Sequence, residues 1–218
     1  MLEIEFLGKV STSIHLQGEP VKIYGDIQSG NCYKVKLLCS LLDIEHEWVQ
    51  VDILAGETQA PDFLAKNPNG KIPLLELSDG RCLSESNAIL NYLAIGSELL
   101  PRDSFELAKV QQWQFFEQYS HEPFIAVARF IAKYLGLPED RRADYESKQE
   151  GGGKALSVME AQLEKTPYLA GEQLTTADIS LYGYTHVAEE GGFNLSNYPA
   201  IQVWIDRIAS HPKYVGMT

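Results

Sequence analysis

Asn67-Pro68-Asn69-Gly70-Lys71-Ile72-Pro73-Leu74-Leu75-Glu76 is the stretch that decides the fold. Pro68-Asn69-Gly70 is a turn signal, and it delivers the chain into a short apolar run with Pro73 just inside it. Proline has no N–H to give to a sheet ladder, so within a strand it marks an edge, a bulge or a special bend. A cis Ile72-Pro73 bond explains such a bend. It would leave the Ile72 amide and carbonyl unpaired and pointing outward. A peptide-like ligand can lie along an edge of that kind as an added strand.

Upstream, Val21 to Gly25 reads as a strand and Asp26 to Asn31 as a small polar loop. Cys32 to Leu42 reads as a helix, with Val35, Leu38, Cys39 and Leu42 on one face. Trp48 to Ile53 is a second strand by β propensity. A helix of that length between two strands predicts a βαβ unit, hence a parallel pair with a right-handed crossover. A short helix over Pro61 to Ala65 precedes the turn, and Ile72 to Leu77 is the third strand. Downstream, Asp79-Gly80 is a hairpin signal, so Arg81 to Leu83 runs antiparallel to the third strand. Ser84-Glu85-Ser86-Asn87 starts a helix that runs on to Ile95. The order β-α-β-α-β-β-α is the thioredoxin-like plan.

Past a linker at Glu98 to Ser104 the strand signals stop. Phe105 to Leu135 is a long periodic segment with Trp113, Phe116, Tyr119 (or Ser120), Phe124, Val127 and Ile131 at helical steps and Pro123 as its candidate kink point. Arg141 to Lys165 reads as one helix spanning Gly151-Gly152-Gly153, with a weak point there. Thr176 heads a helix to about Glu190, ended by Gly191-Gly192. Tyr198 to Ser210 is the last helix, with Pro199 in its first turn. The expected division is an N-terminal extension over 1–20, an α/β domain over 21–97 and an all-α domain over 104–218.

Composition narrows the function. The 218 residues are 44% hydrophobic and 22% charged, ordinary globular values. The net charge of −12 and the pI of about 4.8 argue against nucleic acid as a partner. The apolar runs are shorter than a membrane span, and Met1 to Glu5 lacks the basic and apolar regions of a signal peptide. Three cysteines, Cys32, Cys39 and Cys82, argue for a reducing compartment rather than a disulfide scaffold. The five histidines are scattered and no zinc spacing is present, so no metal is expected.

Four segments, in order, resemble the cytosolic glutathione transferases. Ser29-Gly30-Asn31-Cys32-Tyr33-Lys34-Val35 is similar to that family's catalytic loop running into the first helix. Asn67 to Pro73 is similar to its cis-proline turn. Glu85-Ser86-Asn87-Ala88-Ile89 is similar to the motif that holds the γ-glutamyl end of glutathione. Thr175-Thr176-Ala177-Asp178-Ile179-Ser180 is similar to the capping motif of the helical domain. The resemblance covers nearly everything after Val21, and the subtype looks like bacterial members near the theta, nu and beta classes.

The resemblance implies a thioredoxin-like domain followed by an all-α domain, glutathione as co-substrate, a cytoplasmic homodimer and a role in detoxification. It implies that Ser29 stabilises the glutathione thiolate, with Asn31 as a second donor. Without it, either residue simply caps the helix. Cys32 is the alternative nucleophile, and its other reading is a small buried apolar residue. Ile72 and Pro73 would meet the cysteinyl unit backbone to backbone. Lys71 would meet the glycyl carboxylate, Ser86 the γ-glutamyl carboxylate and Glu85 the ammonium. Phe115, Tyr119, Phe124 and Arg129 are candidates for the electrophile pocket, although an aromatic stripe at helical spacing is more often core or dimer interface. The alternatives are glutathione-dependent disulfide or peroxide reduction at the same site, and a non-catalytic binding module that keeps the fold.

Overall fold

The structure, a computed structural model, describes residues 20–217. The extension read at 1–20 lies, except for Pro20, outside the described residues. The first half follows the expected order. β1 (Val21–Gly25) leads through α1 (Gly30–Leu41) to β2 (His46–Gln50), then through α2 (Pro61–Lys66) to β3 (Leu74–Glu76), β4 (Cys82–Ser84) and α3 (Ser86–Ala94). The sheet order is β2-β1-β3-β4, with β1 parallel to β2 and the other pairs antiparallel. Ile72-Pro73 is cis, and β3 starts just after it. Gly80 has φ 84 at the β3–β4 turn, a conformation glycine adopts without strain. Ile23, Leu37, Leu38, Leu75, Ile89 and Leu90 are fully buried between the sheet and its helices.

Five helices make the second half: α4 (Ser104–Phe116), α5 (Glu122–Arg129), α6 (Arg142–Leu163), α7 (Thr176–Thr185) and α8 (Pro199–Ala209). α4 and α5 belong to one continuous rod. Between them Glu117–His121 takes a π-helical turn, and Phe130–Tyr134 takes another after α5. Pro123 gives a physical reason for the first: its ring clashes with the carbonyl four residues back, and it brings no N–H to the ladder. The wider turn accommodates both. It also rotates the helix face, so that Glu117 and His121 turn inward and are fully buried.

α6 runs unbroken through Gly151-Gly152-Gly153. Two of these glycines are contact points. A Cβ at Gly151 would lie 2.3 Å from the Phe124 ring, and one at Gly152 would lie 2.2 Å from the Phe193 ring. At Gly153 the nearest atom would be the Tyr198 hydroxyl at 3.8 Å. Two substitutions should therefore have opposite signs. Gly153→Ala gains helix propensity without a clash and should stabilise by about 0.5–1 kcal/mol. Gly152→Ala gains the same propensity but overpacks, and should destabilise by roughly 1–2 kcal/mol net. Urea unfolding of both variants checks this; two stabilised variants would disprove the contact argument.

Candidate active site

Four segments of the chain converge at one cleft between the sheet domain and the helical region. Its lining is Asn31 from α1, Asn67 and Lys71 to Pro73 from the cis-proline turn, Glu85 and Ser86 at the start of α3, and Gln118 and Glu122 from the helical rod.

The turn is built by Asn67. Its Nδ2 donates to the Lys71 carbonyl (2.7 Å) and its Oδ1 accepts from the Asn69 amide (3.2 Å), closing the loop on a buried side chain. The Ile72 N–H and C=O have no hydrogen-bond partner among the described residues, since the ladder begins at Leu74. Glu85 stands just before α3 with φ 69. For a non-glycine residue this left-handed backbone costs on the order of 1–3 kcal/mol, and the exposed Glu85 side chain takes no part in capping the helix. Ser86 is buried, and its Oγ donates to Asn31 Oδ1 (3.3 Å), which joins α3 to α1. The ionic groups of the cleft are one ammonium, Lys71, and two carboxylates, Glu85 and Glu122.

Ser29 is half-buried and sits at the N-cap of α1, outside the lining of this cleft. Its Oγ accepts from the Cys32 amide at 3.5 Å, a long bond. The loop that carries it is fixed from the helical side. Arg129 Nη1 donates to the Gln28 carbonyl (2.8 Å), and its Nε pairs with Glu190 (2.7 Å). The Tyr134 hydroxyl donates to Asp26 Oδ2 (3.2 Å). From α7, the Tyr184 ring presses on Gly30, where a Cβ would stand only 2.5 Å from the ring. Burial raises the Tyr184 phenol, so it stays protonated. Cys32 is fully buried, and burial pushes its thiol up to about 12 against the lowering effect of the Ser29 hydroxyl. At neutral pH it therefore holds almost no thiolate, the species a nucleophile requires.

The four electrophile-pocket candidates do not converge. Phe115 and Tyr119 point outward, 72% and 86% exposed. Phe124 packs on Gly151, and Arg129 lies buried beneath the Gln28 loop. Phe115 lies on the outer face of α4, before the π turn; for the positions in and after that turn, the turn itself is the reason. A stripe extrapolated at 3.6 residues per turn through residues 117–121 lands on the outer face, whereas Gln118 and Glu122 face the cleft. Sequence reasoning missed Asn67, Gln118, Glu122 and the buried Lys34. The signal for Lys34 was a lysine three residues after Asn31, on the same face of a helix that is otherwise mostly apolar.

A thioredoxin-like α/β domain joined to an all-helical one, with a cleft between them, defines the class of the fold. Residues 19–95 match the family model "Glutathione S-transferase, N-terminal domain", and residues 115–212 match "Glutathione S-transferase, C-terminal domain". A glutathione S-transferase of known structure from Pseudomonas fluorescens is 62% identical, with a TM-score of 0.90, over 91% of this chain and 99% of that one. Glutathione S-transferase F10 of Arabidopsis thaliana is 35% identical over 77% of this chain and 82% of its own length. The disulfide-bond oxidoreductase YfcG of Escherichia coli is 29% identical over 84% and 87% respectively. The chain belongs to the glutathione S-transferase family, and it is a glutathione transferase. Among the described residues no helix is long and apolar enough to cross a membrane.

Proposed function

We propose that the cleft holds glutathione extended along the cis-proline turn, and that the protein conjugates its thiolate to small electrophiles. The observation that carries this reading is the convergence of Asn31, Lys71, Ile72, Pro73, Glu85 and Ser86 in one cleft at the N-termini of α1 and α3. Glutathione has two carboxylates, one ammonium and a central peptide. Lys71 suits the glycyl carboxylate, and the Ser86 end of α3 suits the γ-glutamyl carboxylate. Glu85 suits the ammonium, and the unpaired Ile72 groups suit the cysteinyl peptide.

The thiol would then lie toward α1, where the Ser29 hydroxyl and the helix N-terminus favour its anion. The thiolate attacks the electrophilic carbon, a C–S bond forms and the leaving group departs with its electron pair. The thiol proton goes to solvent. The electrophile is placed on the helical side of the cleft, near Gln118, Glu122 and the turn that carries Tyr119. In this reading residues 21–97 bind glutathione and 104–218 present the second substrate. The protein works as a cytoplasmic homodimer in detoxification, with the exposed Phe105 and Phe115 as candidate interface side chains.

A second reading, disulfide reduction through glutathione, is favoured by the similarity to the oxidoreductase from Escherichia coli. In that reading the sulfur of glutathione would carry the chemistry, since Cys32 is buried and its thiol raised. Retention on immobilised glutathione, with elution by free glutathione, tests both readings, and a protein that flows through removes both. Parallel assays with a chlorinated nitroaromatic and with a small disulfide then separate them: conjugation is expected to dominate.

A further inference from the structure

A lysine ammonium removed from water needs partners for its charge and its three donors. Lys34 is fully buried in α1, against α7. Its stem crosses Gly183, where a Cβ would meet Lys34 Cγ at 2.6 Å. Its Nζ donates to Glu117 Oε1 (2.7 Å) and to Asn31 Oδ1 (2.7 Å), and stands 5.7 Å from the Tyr184 ring centroid. Glu117 is equally buried, and its other oxygen accepts from Asn87 Nδ2 (3.0 Å). This pair links α1 to the first π turn across the two domains.

The arrangement decides which way Asn31 faces. An ammonium only donates, so the amide atom at Lys34 is the oxygen; a carboxylate only accepts, so the atom 2.9 Å from Glu122 Oε1 is the nitrogen. Nδ2 has two hydrogens and Glu122 takes one, which leaves the other for the cleft that Asn31 lines. Without Lys34 the oxygen keeps only the neutral Ser86 donor (3.3 Å), and Glu122 alone holds the nitrogen, so the amide is held less firmly against turning its oxygen, which repels a thiolate, toward the cleft.

We propose that Lys34, held by Glu117, is a positioning residue that keeps the Asn31 oxygen inward and its N–H aimed at the sulfur of bound glutathione. The proposal rests on the glutathione reading given above. The charged and titratable groups around Asn31 are Lys34 on its own helix, Glu117 and Glu122 from the helical rod, Lys71 from the cis-proline turn, Glu85 at the start of α3, and Tyr184 from α7.

Removing Lys34 alone would strand a buried carboxylate, so the test uses Lys34→Met/Glu117→Gln, which leaves neither charge and keeps an acceptor for Asn87. Two titrations are read: the pH profile of kcat/KM with a chlorinated nitroaromatic, and the ultraviolet absorbance of the bound thiolate. The double variant is expected to shift both upward by about one pH unit, lowering the rate near pH 6.5 by about tenfold. Asn31→Ala should give the same shift, and adding it to the double variant should give no more, because the two act through one hydrogen bond.

A folded double variant that titrates like wild type, or a shift that adds to that of Asn31→Ala, overturns the proposal. If the double variant does not fold, the wild-type protein answers: saturating glutathione should move the ¹⁵N–¹H signals of the Asn31 side chain, and signals that stay in place overturn it. Ser29→Ala separates the two levels. If it abolishes conjugation while the Lys34 variants titrate normally, the function stands and this inference falls. If it is inert and glutathione does not bind, the function falls, and the inference with it.

Discussion

Replacing Ser29 with alanine should lower kcat/KM for conjugation by at least about tenfold and weaken the thiolate absorbance of bound glutathione, with little loss of stability. A free thiol titrates near pKa ~8.5, so only a few per cent is ionised at neutral pH. A hydroxyl donor to the anion contributes about 1.5–3 kcal/mol, and about 1.4 kcal/mol is a factor of ten in rate. The competing account is that Ser29 only caps α1. Loss of an N-cap side chain costs about 0.5–2 kcal/mol of stability, and here the capping bond is long, 3.5 Å to the Cys32 amide, which places it at the low end. Stability and rate therefore separate the two accounts. Ser29→Thr keeps the hydroxyl and should retain more activity than Ser29→Ala. Cys32→Ser should leave conjugation within a few-fold of wild type, because that thiol is buried and raised to about 12. An active Ser29→Ala together with an inactive Cys32→Ser would sink the mechanism.

The order of elements was legible because its signals are local. Pro68-Asn69-Gly70, Asp79-Gly80, Ser84 to Asn87 and Thr175 to Asp178 each specify a turn or a helix start within a few residues. Strand bounds were less legible. β2 occupies His46–Gln50 rather than Trp48 to Ile53, because its limits follow from pairing with β1, Val21 opposite His46 and Gly25 opposite Gln50. The π turns were not legible either: a helical period assumes 3.6 residues per turn, and only Pro123 hinted at a departure. At the site, Asn31, Glu85, Ser86 and the cis-proline turn lie in motifs, so the sequence singles them out, and the structure brings them to one cleft. Lys34 and Glu117 lie 83 residues apart. Each alone reads as a solvated charge, and only the tertiary fold shows them to be partners. The three glycines of α6 likewise read as a weakness until Phe124 and Phe193 are seen against two of them.

Asp178→Ala should be the most destabilising single change in the helical domain, about 4 kcal/mol or more. Asp178 is fully buried at the third position of α7. Its Oδ1 accepts from the Leu169 amide (2.8 Å) and Trp204 Nε1 (3.0 Å), and its Oδ2 from the Thr175 amide (2.9 Å) and Thr175 Oγ1 (3.0 Å). Burial raises its carboxyl, and these four donors oppose that. Alanine would orphan three buried N–H groups, each costing about 1–3 kcal/mol, against a total stability of about 5–15 kcal/mol. Asp103 is the control with the same chemistry. It caps α4 by accepting from the Phe105 amide (2.9 Å) and the Glu106 amide (3.0 Å), but at an exposed site. Water replaces it there, so Asp103→Ala should cost only about 1 kcal/mol. Urea unfolding of both variants measures the contrast, and equal losses would refute burial as the cause. The consequence reaches the cleft, because α7 carries the Gly183-Tyr184 face that packs on Gly30 and Lys34. At a temperature where Asp178→Ala is still mostly folded, its α7 amides should exchange hydrogen faster than in wild type. Its bound thiol should titrate over a broader and higher pH range, since the helix end that orders Ser29 and Asn31 loses its support from behind.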